Sequence, residues 1–206
     1  MQIVLATNNQ GKLSELSVLL QSWSVEVLPL SAYTAQAPEE TGLSFVENAI
    51  LKARFAAQAS GLPAIADDSG LEVDALNGAP GIYSARYARY GASDEENLRK
   101  LLSELSGVNA PLPLRTARYQ CALVYMRSAH DPSPLICQCS WRGSIRTRPE
   151  GTGGFGYDPI FEPEGRPMTA AQLPPEEKNR ISHRGQALQC LMKRLRSEGI
   201  LPTAPS

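Results

Sequence analysis

The chain contains 206 residues, a length that fits one large domain or two closely packed lobes, and it carries 20 lysines and arginines against 21 aspartates and glutamates. The balanced charge excludes the basic excess of a duplex-binding protein, so no nucleic-acid partner is expected. There is no basic-then-apolar leader and no long apolar run, so neither a signal peptide nor a membrane span is predicted. The four cysteines lack the spacing of a structural zinc site, and reduced thiols in a cytoplasmic protein are expected.

The first predicted unit is a strand over residues 3–6, a polar turn over residues 7–12 and a helix with leucines at helical spacing. This order directs free backbone N–H groups at an anion. An ordinary strand–helix connection is the more common explanation of such a turn, but Lys12 opposes the helix dipole at that position and therefore strengthens the case for a phosphate site. The spacing of a Walker A loop is absent.

A second strand is predicted over residues 25–30, followed by a loop over residues 31–43. Ser44 and Glu47 form a capping box that begins a helix, and Gly61 follows its end.

Residues 64–66 predict a short buried strand, after which Asp67 and Asp68 are expected in a polar turn with Ser69 and Gly70. Open α/β sheets bind ligands at the carboxyl ends of their strands. Two neighbouring carboxylates repel each other, so this pair requires a cation or a proton.

The second half begins with a loop over residues 77–91 that is rich in tyrosine and arginine. Ser93 begins another helix, again with a capping box. Alternating segments predict antiparallel strands and a second lobe over residues 115–165. Residues 151–159 are too rich in glycine for regular structure, and a helix closes the chain from about residue 187.

Four polar stretches, in their order along the chain, resemble the inosine triphosphate pyrophosphatase family, whose members hydrolyse non-standard purine nucleoside triphosphates. They are TNNQGK at 7–12, DDSGL at 67–71, GGFGYDPIF at 153–161 and KNRISHRG at 178–185, with further similarity in EETGLSFVENAILKA at 39–53 and GAPGIYSARYA at 78–88.

The resemblance implies an elongated α/β fold in one domain over residues 1–206, with a central mixed sheet flanked by helices and two lobes with an active-site cleft between them. It also implies a magnesium ion, a homodimer and hydrolysis of ITP, dITP and XTP to the nucleoside monophosphate and pyrophosphate. A related fold that hydrolyses other nucleoside triphosphates, such as pyrimidines, is an alternative. A nucleotide-binding regulator without turnover is disfavoured, because it needs no carboxylate that activates water.

By this resemblance Asp68 is the catalytic proton acceptor, and Asp68 and Glu39 bind the metal as hard oxygen ligands. Asp67 is expected to cap the turn, although it is also a candidate partner for Asp68. Glu47 is a further candidate ligand whose capping role already explains it.

The triphosphate is expected to bind Lys12, Lys178, Ser69 and the backbone amides of residues 9–12. A purine stacks on Phe155 or Tyr157, while His183 and Arg184 donate hydrogen bonds to its 6-oxo group and thereby disfavour adenine. The predicted substrate-binding residues are Thr7, Asn8, Asn9, Gln10, Gly11, Lys12, Ser69, Phe155, Gly156, Tyr157, Asp158, Lys178, His183 and Arg184.

Overall fold

The structure, a computed structural model, describes residues 1–7, 9–21 and 25–201, without the side chains of Gln10 and Gln21. The predicted substrate-binding residue Asn8 lies outside the described residues. The strands are β1 (Gln2–Ala6), β2 (Glu26–Pro29), β3 (Ala64–Val73), β4 (Thr116–Met126), β5 (Leu135–Ile145) and β6 (Phe161–Pro163), and the helices are α1 (Gln10–Gln21), α2 (Phe45–Ser60), α3 (Asp94–Gly107), α4 (Pro175–Ile181) and α5 (His183–Ser197).

The six strands form one sheet in the order β2-β1-β3-β4-β5-β6. Strand β1 pairs in parallel with β2 and with β3, whereas β5 and β6 are antiparallel. Parallel neighbours need a long crossover connection, which α1 and α2 provide. The predicted α/β fold with a mixed sheet flanked by helices is confirmed.

The side chains of β1 alternate between two hydrophobic cores, because successive residues of a strand point to opposite faces. Ile3 and Leu5 pack with Ile65 and with leucines of α1 and α5. Val4 and Ala6 pack on the other face, where the small alanines of α2 allow a close approach of helix to sheet. Because β3 pairs with β1, its residues alternate between the same two faces, with Ile65 beside Leu5 and Ala66 beside Ala6.

The chain divides into two compact units, and each has its own core. The first unit comprises Met1–Asp68, Cys121–Cys139 and Arg184–Ser206, and it contains the two cores just described. The second comprises Ser69–Gln120 and Ser140–His183, with a core built around the leucines of α3 and the aromatic residues of β4, β5 and β6. No described helix is long and apolar enough to cross a bilayer.

Both predicted helix starts are confirmed. Ser93 and Glu96 form the reciprocal capping box at α3. At α2 the Ser44 side chain accepts a hydrogen bond from the Glu47 N–H, but the Glu47 carboxylate accepts from the N–H of Leu43. The second half of that predicted box is therefore displaced by one residue.

The predicted polar turn at Asp67 and Asp68 is wrong, because β3 continues without a break from Ala64 to Val73. Ala64 to Ala66 pair with β1, and the strand pairs with β4 on its other side, which favours the extended conformation through the polar residues. Asp67 therefore does not cap a turn. The two carboxylates lie inside a central strand, just beyond the last β1–β3 pair at Ala6 and Ala66.

Candidate functional site

Asp67 is completely buried in the first unit and is bound by two cations. Its Oδ1 lies 2.6 Å from Lys12 Nζ of α1, and its Oδ2 lies 2.9 Å from Arg184 Nε of α5. Arg184 also pairs with Glu15. Burial alone raises the pKa of Asp67, but Lys12 and Arg184 outweigh burial and hold that pKa well below its usual range. Asp67 is therefore an anchor for α1 and α5 that is ionised at neutral pH.

Asp68 meets a different cation, Lys52 of α2, whose Nζ lies 2.5 Å from Asp68 Oδ1. The same nitrogen lies 2.9 Å from Glu40 Oε1, so two carboxylates converge on one ammonium group. Burial raises the pKa of Asp68 above its ordinary value, and Lys52 and Lys12 offset that effect only in part. Asp68 is thus a stronger base than an ordinary aspartate.

The alternation of β3 explains why adjacent aspartates have separate partners. Asp67 follows Ile65 on the face covered by α1 and α5, whereas Asp68 follows Ala66 on the face covered by α2. One strand therefore presents one carboxylate to each helical layer.

The loop that carries Glu39 and Glu40 is attached to the first turn of α2. The N–H of Gly42 donates to Asn48 Oδ1 over 2.9 Å, and a Cβ at Gly42 would overlap side-chain atoms of Glu47 and Asn48. Only glycine permits this approach, which brings Glu40 to Lys52. Glu39 is exposed, so the structure pairs Asp68 with Glu40 through Lys52 rather than with the predicted Glu39.

The turn before α1 is ordered by its own side chains. The N–H of Lys12 donates to Asn9 Oδ1 over 2.9 Å, and the N–H of Asn9 donates to Thr7 Oγ1 over 3.2 Å. Two of the backbone amides predicted to bind phosphate therefore already have partners within the turn. Gly11 lies in the first turn of α1, and Ser69 is half-buried on β3 directly after Asp68.

In the second unit the glycine-rich segment wraps around Asp158. Asp158 Oδ2 accepts from Lys178 Nζ over 2.6 Å and from the N–H of Phe155 over 2.9 Å. The Lys178 ammonium also lies 5.1 Å from the centre of the Phe155 ring. A Cβ at Gly154, which has a φ of 70°, would overlap the Asp158 carboxylate. The N–H of Gly156 donates to Asp94 Oδ2 over 2.7 Å, which connects the segment to α3.

The two aromatic candidates for base stacking differ in exposure. Tyr157 is buried, and its hydroxyl donates to the Ser84 carbonyl over 2.9 Å. Burial raises the pKa of Tyr157. Phe155 is half-buried, so its ring retains accessible surface. The geometry therefore favours Phe155 of the two alternatives.

His183 is the first residue of α5 and is buried in the second unit. Its imidazole is stacked on the Tyr119 ring, with ring centres 4.6 Å apart and planes 4° apart. The Tyr119 hydroxyl donates to Asp158 Oδ1 over 3.2 Å. His183, Asp158, Lys178 and Phe155 are therefore brought together.

The sequence analysis did not predict four residues that contact the site residues described above: Glu15, Glu40, Lys52 and Tyr119. Of these four, only Lys52 could have been recognised from the sequence. It stands three residues after Ala49 and four before Ala56, on the apolar face of α2. A lysine on a buried helical face requires an anion.

Among the described residues, no group of three or more histidine, cysteine, aspartate or glutamate side chains is arranged to hold a metal ion. The pair Asp68 and Glu40 nevertheless fits a hard divalent cation, because both oxygens already converge on one positive charge. Magnesium needs only one or two protein carboxylates and completes its shell with water and phosphate oxygens.

The fold and these residues define an α/β protein with an open mixed sheet and with ionised side chains concentrated around its central strand. Residues 3–194 match the sequence profile of the Ham1 family, and the chain belongs to that family. The resemblance inferred from the four motifs is confirmed.

The chain is 59% identical over 195 residues to the dITP/XTP pyrophosphatase of Thioalkalivibrio sulfidiphilus (strain HL-EbGR7), with 95% of this chain and 98% of the relative covered. It is 55% identical over 196 residues to the dITP/XTP pyrophosphatase of Escherichia coli (strain K12), with the same coverage. Among solved structures, a HAM1 protein from Coxiella burnetii matches with a TM-score of 0.87 and 47% identity, covering 96% of this chain and 99% of that one.

Proposed function

We propose that this protein is a nucleoside-triphosphate pyrophosphatase that hydrolyses dITP, XTP and ITP to the nucleoside monophosphate and pyrophosphate. The observation that carries the proposal is the near full-length identity, 55–59%, to relatives named dITP/XTP pyrophosphatases. The buried carboxylates and lysines described above supply the chemistry that such a reaction needs.

Asp68 is the proposed general base. Water attacks phosphorus, the P–O bond between the α and β phosphates breaks, pyrophosphate leaves, and the proton of the water passes to Asp68. The raised pKa of Asp68 supports this role, because a base accepts a proton better as its pKa approaches the working pH. Asp67 is excluded from the role by its two cations and its lowered pKa.

Asp68 and Glu40 are the residues proposed to hold magnesium, with Glu39 as the neighbouring candidate from the sequence. When bound, the ion supplies charge neutralisation on the phosphate oxygens. Lys52 maintains the two carboxylates in one place and adds a second positive charge there.

Lys12 and Lys178 are the proposed triphosphate ligands. Each is held by a buried carboxylate, Lys12 by Asp67 and Lys178 by Asp158. These pairs restrict two otherwise flexible side chains, which lowers the entropic cost of binding phosphate. Arg184 is engaged by Asp67 and Glu15, which supports a positioning role for it alongside the predicted donor role.

The proposed base site consists of the Phe155 ring, for stacking, and His183, for donation to the 6-oxo group. A donor aimed at O6 of hypoxanthine or xanthine faces the amino group of adenine, and two donors then remain unpaired. Rejection of adenine follows from this arrangement.

The test is a substrate panel of dITP, XTP, ITP, dGTP, dATP and dUTP with Mg²⁺, in which pyrophosphate, orthophosphate and monophosphate are measured. We expect pyrophosphate and monophosphate in equal amounts from the first three substrates, at kcat/KM values at least tenfold above dATP. The variant Asp68→Asn serves as the inactive control. Release of orthophosphate would point to a phosphatase, and a preference for dUTP would support the pyrimidine alternative.

We also infer a cytoplasmic homodimer. The four free cysteines support a reducing compartment. Tyr83 and Tyr90, which are 54% and 92% exposed in the loop after β3, support an interaction surface. Light scattering after size-exclusion chromatography measures the mass directly, and a monomer at micromolar concentration would contradict the dimer.

A further inference from the structure

Tyr119 occupies an unusual position for a buried core tyrosine. It lies on β4 with 7% of its surface exposed, and it packs against Trp141 of β5 and Phe161 of β6. One face of its ring covers the His183 imidazole, and its hydroxyl reaches Asp158. A single side chain thus contacts two of the predicted substrate-binding residues, which are 25 positions apart in the sequence.

The nearly parallel stack limits the rotation of the His183 ring. A plane angle of 4° and a centre distance of 4.6 Å leave the imidazole free to move only in the plane of the Tyr119 ring. Trp141 is stacked on the same pair, with its ring centre 6.3 Å from that of His183 and a plane angle of 19°. The aromatic residues of β4 and β5 therefore fix the plane in which the imidazole N–H groups lie.

The hydroxyl of Tyr119 restrains the Asp158 carboxylate. Asp158 receives Lys178 and the N–H of Phe155 on Oδ2, while Tyr119 donates to Oδ1. A carboxylate held on both oxygens cannot rotate without losing a hydrogen bond. The Phe155 backbone and the Lys178 ammonium are oriented through that carboxylate.

We propose that Tyr119 is a positioning residue for purine selection, which fixes His183 with its ring and the Phe155–Asp158–Lys178 group with its hydroxyl. The inference rests on the proposed function, because it assigns Tyr119 a part in the specificity of that site. A purely structural role for Tyr119 predicts instead that its loss lowers stability and affects all nucleotides equally.

Two substitutions separate the contributions of the ring and the hydroxyl. Tyr119→Phe keeps the stack and removes the hydrogen bond to Asp158. Tyr119→Leu removes both. Tyr125→Phe is the matched control, since Tyr125 is a buried tyrosine on the same strand, six residues away and in the first unit.

The first readout is steady-state kinetics with dITP and dATP. Tyr119→Phe is expected to raise KM for dITP about fivefold with kcat within twofold of wild type, the loss typical of one buried hydrogen bond. Tyr119→Leu is expected to lower the ratio of kcat/KM for dITP to that for dATP at least tenfold. An unchanged ratio in Tyr119→Leu, with kcat/KM reduced equally for both nucleotides or not at all, would overturn the proposal.

The second readout needs no substrate. The chain has two histidines, and His130 is exposed, so His130→Gln leaves the His183 imidazole as the only histidine ring signal in an NMR spectrum. Ring-current shifts of the His183 protons should persist in Tyr119→Phe and become smaller in Tyr119→Leu, where only the more distant Trp141 ring remains stacked on the imidazole. Unchanged shifts in the leucine variant would disprove positioning, whatever the enzyme hydrolyses. A wild-type protein inactive on the whole panel would refute the proposed function while this readout still tests the stack.

Discussion

Asp67 and Asp68 are neighbours on one strand, yet the two faces of the sheet give them opposite properties. Asp67 has Lys12 and Arg184 on one face, and its pKa is held low. Asp68 shares Lys52 with Glu40 on the other face, and its pKa is raised. The number of cations available to each carboxylate decides whether it serves as an anchor or as a base.

The comparison predicts the largest effect on activity for Asp68→Asn. Loss of the base should lower kcat for dITP about 10³-fold, within the range typical of general-base catalysis, while the fold is retained. The measurements are initial rates of pyrophosphate release and the melting temperature. A rate within tenfold of wild type would remove Asp68 from the mechanism.

Asp67→Asn is expected to act mainly on stability. The substitution leaves Lys12 and Arg184 facing a neutral amide, which should lower the free energy of unfolding by about 3–5 kcal/mol in urea. Asp74→Asn is the matched control, because Asp74 pairs with Arg118 at 3.4 Å and its side chain is 51% exposed; its loss should cost less than about 1 kcal/mol. Equal losses in the two variants would contradict the anchor.

The same anchor has a pH signature. Because the pKa of Asp67 is lower in the folded than in the unfolded state, its contribution to stability is present above the ordinary value of 3.8 and is lost as the pH falls through the folded-state pKa. Acid titration of Asp67→Asn should therefore show a shallower loss of stability below pH 3.8 than wild type.

A third test compares Glu40 with Glu39. Glu40→Gln should raise the Mg²⁺ concentration for half-maximal activity about tenfold, because the pair facing Asp68 loses a charged oxygen ligand. Glu39→Gln should raise it less than threefold. The reverse order would favour the assignment made from the sequence and would place the exposed side chain in the metal site.

The smallest effect concerns the acid limb of the pH profile. Lys52 lowers the pKa of Asp68, so Lys52→Met should raise that pKa further and move the acid limb of kcat/KM upward by about one pH unit. Lys52→Arg keeps the charge and should leave the limb near its wild-type position. A downward movement in the methionine variant would contradict the sign of this electrostatic effect.

Much of this protein follows from the sequence by itself. The hydrophobic periodicity and the capping residues located α1, α2 and α3 and the strands β1, β2, β4 and β5, because these signals act between residues a few positions apart. The four polar motifs identified the family, which the profile match over residues 3–194 confirms. The residues of the glycine-rich segment were also correctly expected to lack regular structure.

Only the tertiary structure decided the roles at the charged centre. Asp67 finds Arg184 117 residues away and Asp68 finds Lys52 16 residues away, and no local pattern encodes such pairs. Two adjacent aspartates without partners predict a solvated turn. With these cations as partners, both carboxylates can be buried, and β3 continues as a strand beside β4. The stack of His183 on Tyr119 was decided in the same way, since packing in the core, not sequence spacing, brought the two rings together.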